Sequence, residues 1–368
     1  MLNFFPRRQS AIAKAAATLE AYGVKPAVRQ HLTAFLQESD SRELYHANPR
    51  RIAERLHLSE REALRVLVTA LKEGILSLNW DIQCPMCRGI DFNPKSLYDL
   101  RTNHTCPRCH TVHATDADEQ VRITFSIDER LRRLGREADD PNFRAKVDAQ
   151  YGVVSGHQML TLQTFRDFFP RETIPPNESL TIRRVAILFS DLAGSTALYA
   201  RRGDSRAYHL VRRHFDLLFQ VVDSHNGVVV KTIGDAVMAA FTAPADATRS
   251  AIAMHQQMEA LNQQLQLTAE DRLILKIGID VGPCISVTLN ERLDYFGTTV
   301  NTAARVQATS QGNDIACTET VLMDADAASA VKDCPRLGNA MSLKGLDAPI
   351  LVYRIELMKA ICSKASDV

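Results

Sequence analysis

The chain has 368 residues, of which 45% are hydrophobic and 24% charged, a composition that excludes wholesale disorder and leaves room for two or three domains. Its 44 Lys and Arg nearly balance 43 Asp and Glu, so no global field favours nucleic acid or an anionic membrane. No apolar stretch has membrane-spanning length, and the N-terminus carries charges too early for a secretory signal. We therefore predict a cytoplasmic protein without a membrane span.

Residues 1–80 are predicted to form a mostly helical, winged-helix-like region. Apolar residues at helical spacing indicate two short helices, followed by a helix, a turn, a helix and a strand. Ser59 and Glu62 form a capping box, and Gly74 can end the helix that follows it. Such a shape can dock DNA, but basic and acidic residues nearly balance in residues 1–126. A structural or protein-docking role therefore fits better than nucleic-acid binding.

Residues 81–126 contain two CxxC pairs that predict a zinc ribbon. Zinc favours four thiolates in a tetrahedron, and each CxxC turn lets two sulfur atoms reach one ion. The predicted ligands are Cys84, Cys87, Cys106 and Cys109. A sensing role and a structural role both fit, and we expect one structural Zn²⁺ because a domain this small gains stability from a closed site. The other four cysteines are scattered singly, as expected for reduced packing residues: Cys284, Cys317, Cys334 and Cys362.

Residues 127–180 are charged and are interrupted by proline-containing segments, which predicts a linker between domains. The segment contains Phe165, Phe168 and Phe169, and we expect these side chains to anchor it on a neighbouring domain. A separate domain is predicted to follow.

That domain begins with VAILFSD, a compact apolar strand that ends in a carboxylate, Asp191. The next turn contains Gly194, Ser195 and Thr196 and leads into a helix. Backbone N–H groups of such a turn, together with the helix dipole, attract phosphate oxygens. The segment is therefore suited to hold a metal ion and phosphates together.

Two further segments carry polar residues in the same domain. GVVVKTIGDAVMAAF predicts a hairpin that turns at Gly234, with Asp235 just past the turn. If the two acidic strands adjoin in one sheet, Asp191 and Asp235 can hold two divalent cations. Farther on, Asn301 and Arg305 lie four residues apart and share a face if they lie on a helix, where they could grip a ribose oxygen and a phosphate.

FSDLAGST, KTIGDAVMAAF and DYFGTTVNTAARV, in this order, resemble the catalytic domain of class III adenylyl and guanylyl cyclases over residues 183–355. The resemblance implies an α+β fold with a ferredoxin-like βαββαβ core, which agrees with the order of elements inferred above. It implies two Mg²⁺ or Mn²⁺ ions per active site, bound by Asp191, Asp235 and the backbone carbonyl of Leu192. It further implies that Asn301 orients the ribose and that Arg305 stabilises charge developing on the phosphate.

The resemblance also assigns base recognition to Lys231 and Asp294. Adenine offers an acceptor at N1 and a donor at its exocyclic amine, which are complementary to a lysine donor and an aspartate acceptor. Guanine presents the opposite pattern, so ATP is the expected substrate. In this family the metal ligands come from one subunit and the base, ribose and phosphate contacts from the other, which implies an active homodimer.

The N-terminal half is similar to an uncharacterised module that precedes soluble bacterial cyclase domains. An unknown regulatory ligand or protein could act through it, and residues 356–368 are expected to form a C-terminal tail. Two alternatives to an adenylate cyclase remain open. The domain could cyclise GTP or a pyrimidine nucleotide, or the chain could be a non-catalytic, nucleotide-sensing zinc-ribbon regulator.

Overall fold

The computed structural model describes residues 5–92, 94–345 and 348–357. Cys362 and all but the first two residues of the predicted tail, 356–368, lie outside the described residues. The chain divides into two compact units. The first comprises Met1–Thr181 with Thr288–Arg292, and the second comprises Ile182–Val287 with Leu293–Val368.

The first unit begins with four helices whose ends are set by local side chains. Asn48 caps the third helix by accepting hydrogen bonds from the backbone N–H groups of Arg50 and Arg51. The predicted capping box of the fourth is present, since the Glu62 N–H donates to Ser59 Oγ and the Ser59 N–H donates to the Glu62 carboxylate. The helices are α1 (Phe5–Ala17), α2 (Pro26–Glu38), α3 (Pro49–Leu56) and α4 (Glu60–Lys72).

Six short strands follow, four of which form an antiparallel sheet in the order β2-β1-β5-β6. The other two, β3 and β4, form a separate ribbon. The strands are β1 (Leu76–Gln83), β2 (Ile90–Phe92), β3 (Asn103–Thr105), β4 (Val112–Ala114), β5 (Val121–Ile127) and β6 (Val154–Ser155). The helix, turn, helix, strand order predicted before the zinc ribbon is confirmed by α3, α4 and β1.

Residues 127–180 differ from the irregular linker that we expected. They contain the short helices α5 (Pro141–Tyr151), α6 (Gly156–Leu160) and α7 (Gln163–Phe168), and they belong to the first unit. Pro141, which lies in one of the proline-containing segments, opens α5, and Gly152 ends it. Phe165 is buried with its ring centroid 5.8 Å from that of Trp80.

The second unit is built on an eight-stranded sheet. Its main path runs β13-β14-β12-β10-β7-β9-β8, and β11 pairs with β10. The strands are β7 (Leu180–Leu192), β8 (Val228–Ile233), β9 (Ala236–Phe241), β10 (Leu275–Leu289), β11 (Arg292–Phe296), β12 (Asp314–Thr318), β13 (Arg336–Met341) and β14 (Ile350–Glu356). The helices are α8 (Ser195–Arg202), α9 (Asp204–Ser224), α10 (Pro244–Gln264), α11 (Thr298–Thr309), α12 (Glu319–Leu322) and α13 (Ala325–Ala330).

The centre of this sheet has the predicted ferredoxin-like arrangement. Along the chain the core elements are β7, α9, β8, β9, α10 and β10, and in the sheet these strands lie in the order β10-β7-β9-β8. One face is covered by α9 and α10 around a fully buried apolar core. That core takes alternate residues of the strands, such as Leu188 and Leu192 of β7 and Val237 and Ala239 of β9.

Candidate active site

Asp191 and Asp235 emerge at the same end of two neighbouring strands. β7 and β9 are antiparallel, and their last paired residues are Ser190 and Val237. Asp191 directly follows Ser190, whereas Asp235 lies in the turn just before β9. The pKa of the Asp191 carboxyl is raised, first because the group is partly buried and second because the negative charge of Asp235 is close. The structure thus brings together the two predicted metal ligands.

This pair fits divalent cations by the chemistry of its donors. Two carboxylates that repel one another are the oxygen ligands that Mg²⁺ and Mn²⁺ prefer, and bound cations would remove the repulsion. Asp235 Oδ2 is buried and accepts no hydrogen bond within the described part of the chain. The backbone N–H of Leu192 donates to Asp191 Oδ1 over 3.0 Å, which orients the Asp191 carboxylate.

The turn after Asp191 is shaped for an anion. Gly194 has φ of +71°, a left-handed conformation that favours glycine, and it stands at the N-terminus of α8. Ser195 and Thr196 occupy the first turn of this helix. The N–H groups of a first helical turn have no partners within the helix, so they are available to phosphate oxygens.

Lys231 and Asp294 contact each other directly. Lys231 Nζ on β8 donates to Asp294 Oδ2 on β11 over 2.5 Å, and Asp294 is only 5% exposed. The second carboxylate oxygen, Oδ1, accepts the backbone N–H of Tyr295 over 2.8 Å. Lys231 Nζ also lies 5.5 Å from the ring centroid of Phe296. The ion pair therefore offers a cationic donor and an anionic acceptor side by side, as base recognition would require.

Asn301 and Arg305 lie on α11, as the sequence predicted, one turn apart. Asn301 is exposed, whereas Arg305 is partly buried. The Arg305 guanidinium lies against Gly345, where a Cβ atom would come within 3.3 Å of Nη2. Gly345 also has φ of +76°, so a side chain there would be both strained and in the way of Arg305.

Sequence reasoning missed one buried polar residue near the acidic pair. His214 on α9 is 0% exposed. Burial lowers its pKa to about 4, while the negative charge of Asp235 and a hydrogen bond with the backbone of Val211 act in the opposite direction. The sequence pattern could have revealed that His214 is buried, because it occupies an apolar position of an amphipathic helix, between Val211 and Leu218.

The four predicted zinc ligands form a cluster in the first unit. Their sulfur atoms all lie within 4.8 Å of one another, and no histidine joins the cluster found in residues 5–92, 94–345 and 348–357. The sulfur atoms of Cys84 and Cys109 lie 3.6 Å apart, and those of Cys87 and Cys106 lie 3.7 Å apart. These distances are too long for a disulfide and suit four thiolates around one ion.

The two CxxC turns have the same backbone construction. The N–H of Arg88 donates to the carbonyl of Cys84, and the N–H of His110 donates to the carbonyl of Cys106. Both Arg88 and His110 have positive φ, at 59° and 57°. Hydrogen bonding to Thr111 lowers the pKa of the Cys109 thiol to about 6, which favours the thiolate that a metal ion binds.

No helix in the described part of the chain is both long and apolar enough to cross a membrane. Residues 178–355 match the family model of the adenylate and guanylate cyclase catalytic domain, and residues 11–151 match a family of unknown function (DUF5939). The resemblance drawn from the sequence motifs of the C-terminal half is thereby confirmed.

Relatives from one bacterium match parts of the chain. The putative adenylate cyclase 3 of Rhizobium meliloti is 33% identical over 39% of this chain, and adenylate cyclase 1 is 28% identical over 47%. The chain spans only 24% and 27% of the length of these two proteins.

Among solved structures, the adenylyl cyclase CyaB of P. aeruginosa is 23% identical, with a TM-score of 0.42, over 48% of this chain and 95% of that one. The family match and the three ordered motifs cover the second half of the chain, including both aspartates. Residues 178–355 are thus similar to the adenylate and guanylate cyclase catalytic domain family.

Proposed function

We propose that this protein is an adenylate cyclase that converts ATP to 3′,5′-cyclic AMP and pyrophosphate. The observation that carries the proposal is the pairing of Asp191 and Asp235 at one end of two neighbouring strands, beside a helix N-terminus, in a domain of the cyclase family. Two such carboxylates are suited to hold two Mg²⁺ or Mn²⁺ ions. When bound, these cations supply Lewis acidity to the ribose 3′-hydroxyl and to the phosphate oxygens.

The side chains of this chain bind and orient the substrate. Asn301 orients the ribose, which directs the 3′-hydroxyl oxygen at the α-phosphorus within one molecule. Arg305 donates hydrogen bonds to the phosphate as negative charge develops there, and the turn at Gly194, Ser195 and Thr196 binds phosphate oxygens through its N–H groups. No side chain in these motifs is an obvious general base. Positioning and charge stabilisation therefore carry most of the rate enhancement.

Selectivity for ATP is inferred from Lys231 and Asp294. Lys231 would donate to adenine N1, and Asp294 would accept from the exocyclic amine. Asp294 is almost fully buried, so a base with the opposite pattern would leave it mispaired in a site of low polarity, at a cost of a few kcal/mol or about 10²-fold in kcat/KM.

We further propose that two copies of the chain form each active site. By family analogy the aspartates of one copy face the base, ribose and phosphate contacts of the other. Three large apolar side chains that are close in sequence to Lys231 or Asp294 are exposed in the single chain. They are Ile233, Ile285 and Phe296. Apolar area of this kind favours burial against a partner, and a two-fold dimer would contain two equivalent sites.

The first unit is proposed to be a regulatory module stabilised by one Zn²⁺ on its four cysteines. Its ligand or protein partner would act by altering the geometry of the dimer on which both active sites depend. Reduced thiols and ATP as the substrate both agree with the cytoplasmic location predicted from the sequence.

The test measures cyclic nucleotide formation by the full chain from ATP, GTP, CTP and UTP, with Mg²⁺ and with Mn²⁺. We expect cyclic AMP from the wild type and none from Asp191→Ala or Arg305→Ala alone. Mixing these two variants should restore part of the activity, because a mixed dimer contains one intact site. No recovery on mixing would contradict shared sites.

A second measurement addresses the base. Lys231→Gln should lower kcat/KM for ATP by about 10²-fold and should change the value for GTP much less. Arg292→Gln, an exposed change on the same strand as Asp294, is the matched control. Cyclisation of GTP or a pyrimidine nucleotide by the wild type would replace the ATP assignment. Silence of a folded dimer with every nucleotide would favour a missing activator or a binding-only module.

A further inference from the structure

The two central strands of the first unit, β1 and β5, pair so that one face of the sheet is apolar and the other is polar. Trp80 opposes Ile123 on the apolar face, and Asn79 opposes Thr124 on the polar face. A polar face of an antiparallel sheet usually lies in water. This one is covered, because Asn79, Thr124 and Asp81 are fully buried. The polar face consists of Ser77, Asn79, Asp81, Arg122, Thr124 and Ser126.

A network of hydrogen bonds satisfies much of this face. Asp81 accepts a hydrogen bond from Thr124 Oγ1 over 2.7 Å, and its other carboxylate oxygen lies 2.8 Å from His46 Nδ1. The amide nitrogen of Asn79 donates to Thr124 Oγ1 over 3.2 Å. The amide oxygen of Asn79 accepts a hydrogen bond from Lys95 Nζ. The network therefore extends from the buried face of the sheet to a cation.

Lys95 has no carboxylate partner in the part of the chain that the structure describes. An ammonium group can donate three hydrogen bonds, and the one present here goes to the neutral amide oxygen of Asn79. The lysine as a whole is exposed, yet desolvation of its charged end lowers its pKa, while the negative charge of Asp81 acts in the opposite direction. Lys95 is thus a partly desolvated cation with two N–H groups available to a ligand.

A cavity of about 570 Å³ adjoins Lys95. Sites for small molecules have volumes of roughly 300–1,000 Å³. Ser126 also lines the cavity and is almost fully buried. Its Oγ accepts the backbone N–H of His46 over 3.0 Å and an amide N–H of Asn79 over 3.1 Å. Because both hydrogen bonds use Oγ as the acceptor, the hydroxyl proton of Ser126 is available to a second ligand atom.

Three carboxylates line the same cavity, and two of them are already paired. Asp128 accepts a hydrogen bond from Arg130 Nε over 2.8 Å, and Asp139 accepts one from Arg144 Nη1 over 2.7 Å. The third carboxylate, Glu129, has no ion pair among the described residues. One negative charge on the wall of the cavity is therefore left without a partner.

Two cations on the wall outnumber this carboxylate. Lys95 and Arg136 both line the cavity, and neither forms an ion pair within residues 5–92, 94–345 and 348–357. Once the two ion pairs are set aside, the cavity carries one positive charge in excess. Charged side chains beside a partly desolvated space attract a ligand of opposite charge more strongly than they would in open water. The cavity is therefore suited to an anion.

We propose that this cavity binds a small organic anion whose carboxylate or phosphate group accepts hydrogen bonds from Lys95 Nζ and Ser126 Oγ. Arg136 adds electrostatic attraction from the wall. The site would give the proposed regulatory module its ligand, and only this regulatory consequence rests on the proposed function. Binding itself depends on the first unit alone, so it can fail or succeed independently of cyclase activity.

The rival explanation is purely structural. Lys95 would then serve only as the donor to the buried amide oxygen of Asn79, and the cavity would hold water. A buried acceptor that loses its donor is destabilising, so replacement of Lys95 would lower the stability of the first unit. It would change no anion affinity, because there would be none. The two explanations therefore differ in a binding measurement.

The experiment measures binding of succinate and of glycerol 3-phosphate to the full chain by isothermal titration calorimetry. Succinamide and glycerol have the same carbon skeletons without the charge, and they are the neutral controls. We expect at least one anion to bind with a dissociation constant of about 1 mM or lower, and neither neutral compound to bind. The anion that binds identifies the ligand group as a carboxylate or a phosphate.

Variants then locate the site. Lys95→Met keeps the length of the side chain without its charge and should weaken binding at least 10-fold, as expected for a lost charge-assisted hydrogen bond. Lys95→Arg should retain much of the affinity. Arg136→Gln should weaken binding about 3-fold, because its contribution is a solvent-screened attraction. Lys146→Met removes the same charge from an exposed position on α5 that does not line the cavity, and it should bind like the wild type.

Each outcome decides for or against the proposal. If neither anion binds to the wild type, or if succinamide binds as tightly as succinate, the proposal is overturned. If Lys95→Met binds the anion as tightly as the wild type, the anion lies elsewhere on the chain. An equal loss in Lys146→Met would show that only the overall charge matters. If Lys95→Met does not fold, Lys95→Gln is used, because its amide can still donate to Asn79 while the charge is lost.

Discussion

The four cysteines of the first unit and the two carboxylates of the second are both suited to metal ions, yet the chain assembles them differently. Each cysteine pair is held within one tight turn, and the ribbon that flanks the second pair, β3 and β4, consists of exposed or half-buried residues. Asp191 and Asp235 come from distant parts of the sequence and rest at the edge of an extensive buried core. In the first case a bound metal ion would take the place of a buried core. In the second case the buried core positions two carboxylates that could bind cations.

The largest expected effect follows from removing a cysteine. Cys106→Ser should abolish zinc binding and unfold the ribbon, because metal binding supplies roughly 10–16 kcal/mol to comparable structural sites. Zinc content per chain and amide hydrogen exchange of β3 and β4 are the measurements. The control is Cys334→Ser, a partly buried cysteine in the second unit. If a variant without zinc kept its ribbon amides protected from exchange, the ribbon would not depend on a metal ion. That result would contradict the contrast between the two units.

Removing a carboxylate should impair catalysis and leave the fold intact, in contrast to removing a cysteine. Asp191→Asn should lower the rate of cyclisation by about 10³-fold, comparable to removing a single electrostatic group from an active site. The fold should persist, and the free energy of unfolding should rise slightly, because the repulsion with Asp235 is lost. Steady-state rates and chemical denaturation followed by circular dichroism test both statements. Unfolding of the second unit would show that the aspartate has a structural role instead.

The buried histidines of the second unit should make the stability of that unit depend on pH. Burial lowers the pKa of His255 from 6.5 to about 4. Between these values the unfolded chain binds a proton that the folded chain does not, so the free energy of unfolding falls as the pH drops from 6.5 towards 4. The loss from this group amounts to about 3 kcal/mol. His255→Leu should show a smaller loss than the wild type between pH 7.5 and pH 4.5 in denaturant titrations; equal losses would contradict the assignment.

The smallest effect concerns the helical part of the first unit. Ser59→Ala removes the capping box of α4 and should destabilise the unit by about 1 kcal/mol without changing its zinc content. Ser59→Thr should restore most of the stability, since threonine also caps helices. A loss of zinc in Ser59→Ala would mean that the helices and the ribbon fold as one cooperative element.

Features encoded by neighbouring residues were predictable from the sequence. The capping box at Ser59, the CxxC cluster and the hairpin that turns at Gly234 depend on a few adjacent residues, and each is present as predicted. The strand order was implied by the family motifs. The helices of residues 127–180 were missed because proline and glycine at helix ends resemble those of an irregular linker when packing is unknown.

His214 was missed for a different reason. Whether a histidine on a helix is exposed or buried depends on which sheet face that helix covers, and this is fixed only when α9 packs on β8 and β9. Likewise, the contact of Lys231 with Asp294 joins two strands that are distant in the sequence, so their residue types were predictable but their salt bridge was not.

The position of Trp80 has a spectroscopic consequence. It is the sole tryptophan in the chain, it is fully buried on β1, and it packs against Phe165. Intrinsic fluorescence excited at the red edge of the aromatic absorption band therefore reports on the first unit alone, while the second unit contributes almost no emission. An effector that binds the N-terminal module should shift or quench this single fluorophore, which gives a label-free screen for a ligand that the sequence does not name.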